Sequence, residues 1–177
     1  MAYEALLVAA MTLRAPLTRE VQLHFGIPAP VAVFAAQIAQ ESAFDPRAKS
    51  PVGARGLLQF MPKTAAWVQD FVGVGSPDDP AWSLRAGVWY MRHLFDRVRY
   101  ASECHKWGAA LSAYNGGIGW HNRRQAIARD PADFWGSVRI VNPGITSANQ
   151  RENERYSQRI VYTLQPHFAP LGGRKVC

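Results

Sequence analysis

One acidic residue of the sequence lies where proton-transfer chemistry is favoured. Glu41 follows an apolar stretch in which Phe34 and Ile38 recur at helical spacing, so all three share one helix face. It also ends the predicted helix over 31–40, where the helix dipole disfavours a negative charge. Desolvation and the dipole would both raise the pKa of this carboxyl, and a protonated carboxyl can act as a general acid. The alternative interpretation is a surface glutamate that merely ends a helix.

Further candidate residues follow Glu41 in short motifs at fixed offsets. The first motif, QESAFDPRAKSPVGARGLLQFMPKTA, contains a tight turn with two glycines. The second is an Ala-Tyr-Asn element before two glycines, and the third is ENERY over 152–156. The candidate residues beside Glu41 are Ser50, Gln59, Met61, Tyr114, Asn115, Glu152 and Tyr156.

Taken together, these motifs resemble those of the soluble lytic transglycosylase family, which has a lysozyme-like fold. That family has a Glu-Ser pair, then Ser, then Gly-Leu-Met-Gln ahead of Met-Pro. An Ala-Tyr-Asn element and a Glu four residues before a Tyr come later. The resemblance covers about residues 20–162 and implies a mainly α, goose-type-lysozyme-like catalytic domain.

The sequence departs from the family pattern at three positions. Leu58 stands where Met is usual, Gly116 where Ala is common, and Asn153 where Thr is usual. The first is a volume-conserving apolar change. The third leaves open whether Glu152 or Glu154 lines the site.

The resemblance implies a specific reaction on peptidoglycan. The bond between N-acetylmuramic acid and N-acetylglucosamine would be cleaved without water, leaving a 1,6-anhydro ring. Glu41 would first protonate the leaving oxygen and then take the proton from the sugar's own C6 hydroxyl. The substrate's acetamido group would stabilise the intermediate, as in other substrate-assisted enzymes. No cofactor is implied, and Cys104, His105 and His93 match no zinc spacing.

The resemblance also assigns a role to each remaining candidate. The residues that would contact the acetamido group are Ser50 and Tyr114, and those that would line the groove are Gln59, Met61 and Glu152. Asn115 would order its own loop. Tyr156 would orient the Glu41 carboxyl. Trp120 is either a sugar-stacking residue or a core tryptophan.

Two other functions are compatible with the same motifs. A hydrolase resembling goose-type lysozyme would need a second carboxylate to activate water, such as Asp45 or Asp70. A wall-binding structural protein without catalysis is the other alternative. The joint presence of Glu41, Ser50 and Gln59 with Tyr114 argues against it.

Composition and periodicity predict one compact, mainly α domain over 1–177. Apolar residues make up 48% of the chain and charged residues 19%, which excludes disorder. We predict helices over 3–13, 31–40, 62–71, 80–98, 105–114, 122–129 and 151–164, with one candidate strand over 137–141. Asp79 is the predicted cap of the helix at Pro80. The two cysteines, Cys104 and Cys177, suggest no disulfide framework, so buried free thiols are expected.

The charge distribution predicts an anionic partner. The chain carries +7, and fourteen basic residues against six acidic ones follow from Arg85 onward. By charge alone the partner could be nucleic acid, an acidic lipid surface or wall polymer, and an ordinary solvated surface is the alternative. No nucleic-acid-binding signature accompanies the basic residues, and the family resemblance implies wall polymer. The basic residues expected to hold it are Arg92, Arg97, Arg99, Arg123, Arg124 and Arg129.

The N-terminus and the hydropathy bear on where the protein acts. Residues 5–11 are apolar, but no basic residue precedes them and no cleavage site follows, so no signal peptide is recognised. No apolar run is long enough for stable membrane insertion. Such a domain resembles bacteriophage wall-degrading proteins. We therefore expect a monomeric phage endolysin or virion-associated enzyme, made in the host cytoplasm and acting on periplasmic peptidoglycan, with other virion proteins as possible contacts. The rival is a piece of a longer bacterial protein.

Overall fold

The computed structural model describes residues 2–177, and within them the regular structure is helical, with no β-strand. Eight α-helices follow one another within these described residues. They are α1 (Ala2–Thr12), α2 (Arg14–Phe25), α3 (Val31–Ser42), α4 (Pro62–Val72), α5 (Pro80–Arg97), α6 (Glu103–Gly116), α7 (Ile118–Ile127) and α8 (Ser147–Gln158). Two short π-helices, Phe134–Val138 and Arg159–Leu164, and a 3-10 segment, Gln165–Leu171, complete them. The predicted mainly α fold is confirmed.

Local sequence signals account for most helix ends. The Asp79 carboxylate accepts a hydrogen bond from the Ala81 N–H at 3.1 Å, which confirms the predicted cap of α5. Pro62 occupies the first turn of α4, where its missing N–H costs nothing. Gly117, with φ of 92°, ends α6. The predicted boundaries of α3, α4 and α5 therefore agree with the structure within two residues.

Four elements differ from the sequence-based prediction, and one of them is α7, which begins at Ile118 rather than at residue 122. Helix α2 was not predicted, because only Leu17 and Val21 among its residues are buried, too few for a clear apolar period. The candidate strand over 137–141 is wrong, since Val138 ends a π-helix that the Asp133 side chain caps at the Gly136 N–H. Helix α8 begins earlier than predicted, because the Thr146 hydroxyl accepts from the Asn149 N–H at 3.2 Å.

The prediction of free thiols is also wrong. Cys104 and Cys177, separated by 73 residues in sequence, form a disulfide. The bond ties the C-terminal residue to the first turn of α6. A single pair at this separation gives no spacing signal, which is why sequence inspection missed it.

The described chain divides into two compact units, and the boundary falls within α5. The first runs up to Tyr90 and includes Leu164–Lys175, and the second comprises Met91–Thr163 with Val176–Cys177. In the first unit, α3 packs against the 3-10 segment and α2, and its first eight residues are all buried. In the second, α6 packs against α7, α8 and the π-helix Phe134–Val138. The single domain over 1–177 stays a prediction. Within residues 2–177, no helix combines the length and apolar character that a bilayer crossing requires.

Candidate active site

The first unit fixes the end of the helix that carries Glu41. Glu41 lies in the last turn of α3 and is half-buried. The hydroxyl of the next residue, Ser42, donates to the Leu57 carbonyl at 2.9 Å and approaches the Ile38 carbonyl at 3.2 Å. The Ser42 side chain therefore ties the helix end to the loop that leads to Gln59.

That loop, residues 43–61, holds an unusual concentration of left-handed backbone. Ala43, Phe44 and Gln59 have φ of 50°, 67° and 46°, although none of them is glycine. Each such residue costs roughly 1–2 kcal/mol, so the surrounding contacts must hold it in place. Strain of this kind concentrates at functional sites, which agrees with the placing of the candidate residues here.

Ser50 and Gln59 use their side chains differently within the loop. The Ser50 hydroxyl oxygen accepts from the Ala54 N–H at 3.0 Å, while its own hydrogen finds no acceptor among residues 2–177. The Gln59 amide nitrogen donates both hydrogens, to the Ala48 carbonyl at 3.1 Å and the Gly56 carbonyl at 3.0 Å. Ser50 thus keeps a donor for a ligand carbonyl, whereas Gln59 keeps only its amide oxygen. Met61, directly before α4, is 43% exposed.

The second unit joins two of the remaining candidates directly. The Asn115 amide donates to the Glu152 carboxylate at 3.1 Å. Glu154, by contrast, faces Arg139, whose guanidinium lies 3.3 Å from its carboxylate. Glu152, rather than Glu154, is therefore the acid that contacts the Tyr-Asn element. Of the two tyrosines in the predicted site, Tyr114 is half-buried and Tyr156 is buried.

Asn153 connects the Tyr-Asn element to α8. Its amide nitrogen donates to the Ser112 carbonyl at 2.8 Å and to the Asn115 side-chain oxygen at 2.9 Å. Its oxygen accepts from the Ser112 hydroxyl at 2.7 Å. A Cβ added at Gly116 would lie only 2.7 Å from the Asn153 nitrogen. The departures from the family pattern at positions 116 and 153 therefore accommodate each other sterically.

This contact predicts that the effect of Gly116→Ala on the free energy of unfolding depends on the residue at position 153. Gly116→Ala should lower the free energy of unfolding by about 1–3 kcal/mol, because the new methyl crowds a buried amide. In an Asn153→Thr background that amide is gone, so the same change should be neutral or stabilising by a few tenths of a kcal/mol to about 1 kcal/mol. Urea unfolding of the wild type, both single variants and the double variant measures the coupling. Equal effects of Gly116→Ala in both backgrounds would contradict it.

Two titratable residues of the second unit, His121 and Arg124, are completely buried. Both ring nitrogens of His121 lack a hydrogen-bond partner within the described residues. Burial, followed by the charge of Arg124, lowers the pKa of His121 to about 4. Arg124 donates through Nε and Nη2 to the Gln150 amide oxygen at 3.3 and 3.0 Å. The expectation that Arg124 belongs to a basic wall-binding surface is therefore wrong.

The buried imidazole predicts a specific loss of stability in mild acid. The unfolded chain takes up a proton at His121 near its ordinary value of 6.5, whereas the folded protein resists this until about pH 4. Stability should therefore fall as pH drops from 6.5 to 4, by about 3 kcal/mol from this residue. Urea unfolding across this pH range should show a smaller loss of stability in acid for His121→Phe than for the wild type. His167→Gln, at an exposed position, should keep the wild-type slope; parallel profiles for all three proteins would contradict the assignment.

The arrangement of helices first defines the fold class, the lysozyme-like fold of solved lytic transglycosylases. An inactive mutant of the lytic transglycosylase Slt from Pseudomonas aeruginosa matches with a TM-score of 0.67 at 24% identity, covering 92% of this chain and 24% of that chain. The 70-kDa soluble lytic transglycosylase in complex with bulgecin A matches with a TM-score of 0.62 at 26% identity, covering 90% of this chain and 24% of that chain.

The family then follows from the sequence. The model of the transglycosylase SLT domain matches residues 19–134, and the chain belongs to this family. Membrane-bound lytic murein transglycosylase F 2 of Alkalilimnicola ehrlichii is 32% identical over 131 residues, 72% of this chain and 28% of the relative. Membrane-bound lytic murein transglycosylase F of Vibrio cholerae is 36% identical over 122 residues, 66% of this chain and 22% of the relative. The chain thus spans about a quarter of the length of these relatives, and the family predicted from the motifs is confirmed.

Proposed function

We propose that this protein is a peptidoglycan lytic transglycosylase in which Glu41 is the single catalytic carboxyl. Membership of the SLT family and the names of the relatives, lytic murein transglycosylases, support the activity and the substrate. The observation that carries the residue assignment is the fixed end of α3. There Glu41 is held beside a strained loop by the hydrogen bond from Ser42 to Leu57.

The proposed reaction needs one carboxyl in two successive roles. Protonated Glu41 gives its hydrogen to the glycosidic oxygen as the bond to C1 of the muramic acid breaks. The resulting carboxylate then takes the hydrogen of the C6 hydroxyl while that oxygen forms the new bond to C1. Glu41 ends the cycle protonated, the product carries a 1,6-anhydro ring, and no water is consumed.

The other candidates act on the substrate or on the loop. Ser50 offers its unused hydroxyl hydrogen to the acetamido carbonyl of the substrate. Gln59, with both amide hydrogens engaged, positions the backbone of the loop and can accept one hydrogen bond from a sugar. Met61 provides an exposed apolar surface. The roles of Tyr114, at the acetamido group, and Tyr156, orienting Glu41, stay predictions.

The proposed setting is peptidoglycan outside the inner membrane. The disulfide between Cys104 and Cys177 supports it, because such bonds persist in oxidising compartments such as the periplasm. The phage or virion origin, the monomeric state and the contacts with virion proteins stay predictions, since the relatives named above are bacterial enzymes.

The hydrolase alternative makes a different product, and the structure describes its two candidate carboxylates. Asp45 is exposed and accepts the Arg47 N–H at 2.9 Å, which engages it in a local turn. Asp70 is exposed on α4. Neither has the burial that would distinguish a positioned base from a surface carboxylate.

A reducing-end assay on digested peptidoglycan separates the functions. We expect the protein to release soluble fragments without a matching rise in reducing sugar ends, because a 1,6-anhydro end does not reduce the reagent. Asp45→Asn and Asp70→Asn should release fragments at the wild-type rate. Reducing ends that rise in step with the fragments would establish a hydrolase. Wall binding without any fragments would establish a structural protein.

A further inference from the structure

The second unit contains a cavity whose walls are suited to a sugar. It has a volume of about 250 Å³, the space of roughly eight water molecules, which is room for one sugar ring. Gly116 forms part of one wall. The other walls come from carboxamides, a carboxylate and two apolar side chains: Asn115, Asn149, Asn153, Glu152, Trp120 and Ile145.

The polar groups of the cavity divide into those already satisfied and those still able to bind. The side-chain amide of Asn153 is already satisfied, because it makes its hydrogen bonds to Ser112 and Asn115. Asn115 uses one amide hydrogen on Glu152 and keeps the other. The second carboxylate oxygen of Glu152 and the whole side-chain amide of Asn149 make no hydrogen bond within residues 2–177. Donors and acceptors therefore remain for hydroxyl and acetamido groups.

Trp120 adds an aromatic wall to these polar groups. It is 40% exposed in the first turn of α7, and the Arg123 guanidinium lies over its ring at 5.7 Å from the centroid. This cation–π contact restrains the ring before any ligand arrives. A pyranose carries C–H groups on its faces and hydroxyls at its edge. The apolar face of the indole can pack against the C–H groups, while the indole N–H and the neighbouring polar side chains can bind the hydroxyls.

We propose that this cavity binds one uncharged N-acetylhexosamine ring of the glycan strand, with Trp120 as its sugar-stacking residue and Asn149 as a further substrate-binding residue that the sequence did not indicate. The ligand class rests on the proposed function, since that function supplies the glycan. The carboxylate of Glu152 favours an uncharged ring over one that carries its own carboxylate. The cavity therefore favours N-acetylglucosamine over an N-acetylmuramic acid whose lactyl carboxyl carries no peptide.

The test uses the full chain with Glu41→Gln, so that binding is measured without cleavage. Calorimetric titration with N-acetylglucosamine trimer should give a dissociation constant that Trp120→Ala raises about tenfold, or roughly 1.4 kcal/mol. Asn149→Ala should raise it about fivefold, as expected for one lost hydrogen bond. Trp120→Phe keeps an aromatic face and should restore most of the affinity. Trp67→Ala, which removes a comparably exposed indole of the first unit, should change the constant less than twofold.

The outcomes separate this inference from the proposed function. Absence of trimer binding, binding unaffected by Trp120→Ala, or an equal loss in Trp67→Ala would overturn the inference, even if the wild type cleaves peptidoglycan. Binding that depends on Trp120 would uphold it, even if the wild type produced no 1,6-anhydro ends. A muramyl-containing ligand without stem peptide should bind more weakly than the trimer, and Glu152→Gln should reduce the difference between the two dissociation constants. Tighter binding of the muramyl ligand would overturn the assigned selectivity.

Discussion

Replacing Glu41 with Gln is expected to lower the rate of peptidoglycan cleavage by about three orders of magnitude or more. The amide keeps the shape of the side chain but can neither give a proton to the leaving oxygen nor take one from the C6 hydroxyl. A single general acid or base commonly contributes about 10²–10⁴-fold, and here both roles fall on one group. The release of soluble fragments from purified peptidoglycan measures the rate, and thermal unfolding confirms that the fold is retained.

Matched carboxylate-to-amide changes provide the control. Asp45→Asn and Asp70→Asn remove a charge from the same unit at exposed positions, so they should leave the rate within about twofold of wild type. The assignment of a single catalytic carboxyl would be wrong if Glu41→Gln retained a tenth or more of the wild-type activity. It would also be wrong if either aspartate variant lost as much activity as Glu41→Gln.

Gly56→Ala is expected to destabilise the protein by about 3 kcal/mol and to reduce cleavage with it. Gly56 has φ of +80°, and a Cβ there would lie 1.8 Å from the Pro77 carbonyl oxygen. The left-handed conformation costs an alanine roughly 1–2 kcal/mol, and relieving a collision with backbone adds about 1–3 kcal/mol. Because Gln59 donates to the Gly56 carbonyl, the displacement would also disturb the loop behind Glu41.

Gly53 in the same loop isolates the steric part of this effect. It has φ of +90°, but no atom lies within 4 Å of the position that a Cβ would occupy. Gly53→Ala should therefore cost only the conformational strain, about 1 kcal/mol. Guanidinium unfolding of both variants gives the comparison, and equal losses of stability would show that the approach of Pro77 is unimportant.

Local patterns were sufficient to predict the helices that carry or flank the candidate catalytic residue. The apolar period of α3 predicted that Glu41 ends a helix, and Asp79-Pro80 predicted the start of α5. These signals work because they act within a few residues of the chain. The left-handed residues around Glu41 could not be predicted, because Ala43 and Phe44 have no preference for that conformation and are held there by contacts.

Features that depend on residues distant in sequence were missed, because no local pattern indicates them. The disulfide joins residues that are 73 positions apart, and the burial of Arg124 depends on packing and on Gln150. The fit between Gly116 and Asn153 was visible in sequence only as two unrelated departures from a family pattern. Asn149 shares a helix face with Glu152 because α8 begins at Ser147, but the helix predicted from 151 left it out.

The fate of water during cleavage tests the central claim most directly. Peptidoglycan is digested by the wild-type protein in water labelled with heavy oxygen, and the ends of the fragments are weighed by mass spectrometry. A reaction in which Glu41 transfers a proton between two oxygens of the substrate predicts fragments that carry no label, each lighter by one water than a hydrolysis product. Heavy oxygen at the newly formed sugar ends would contradict the account.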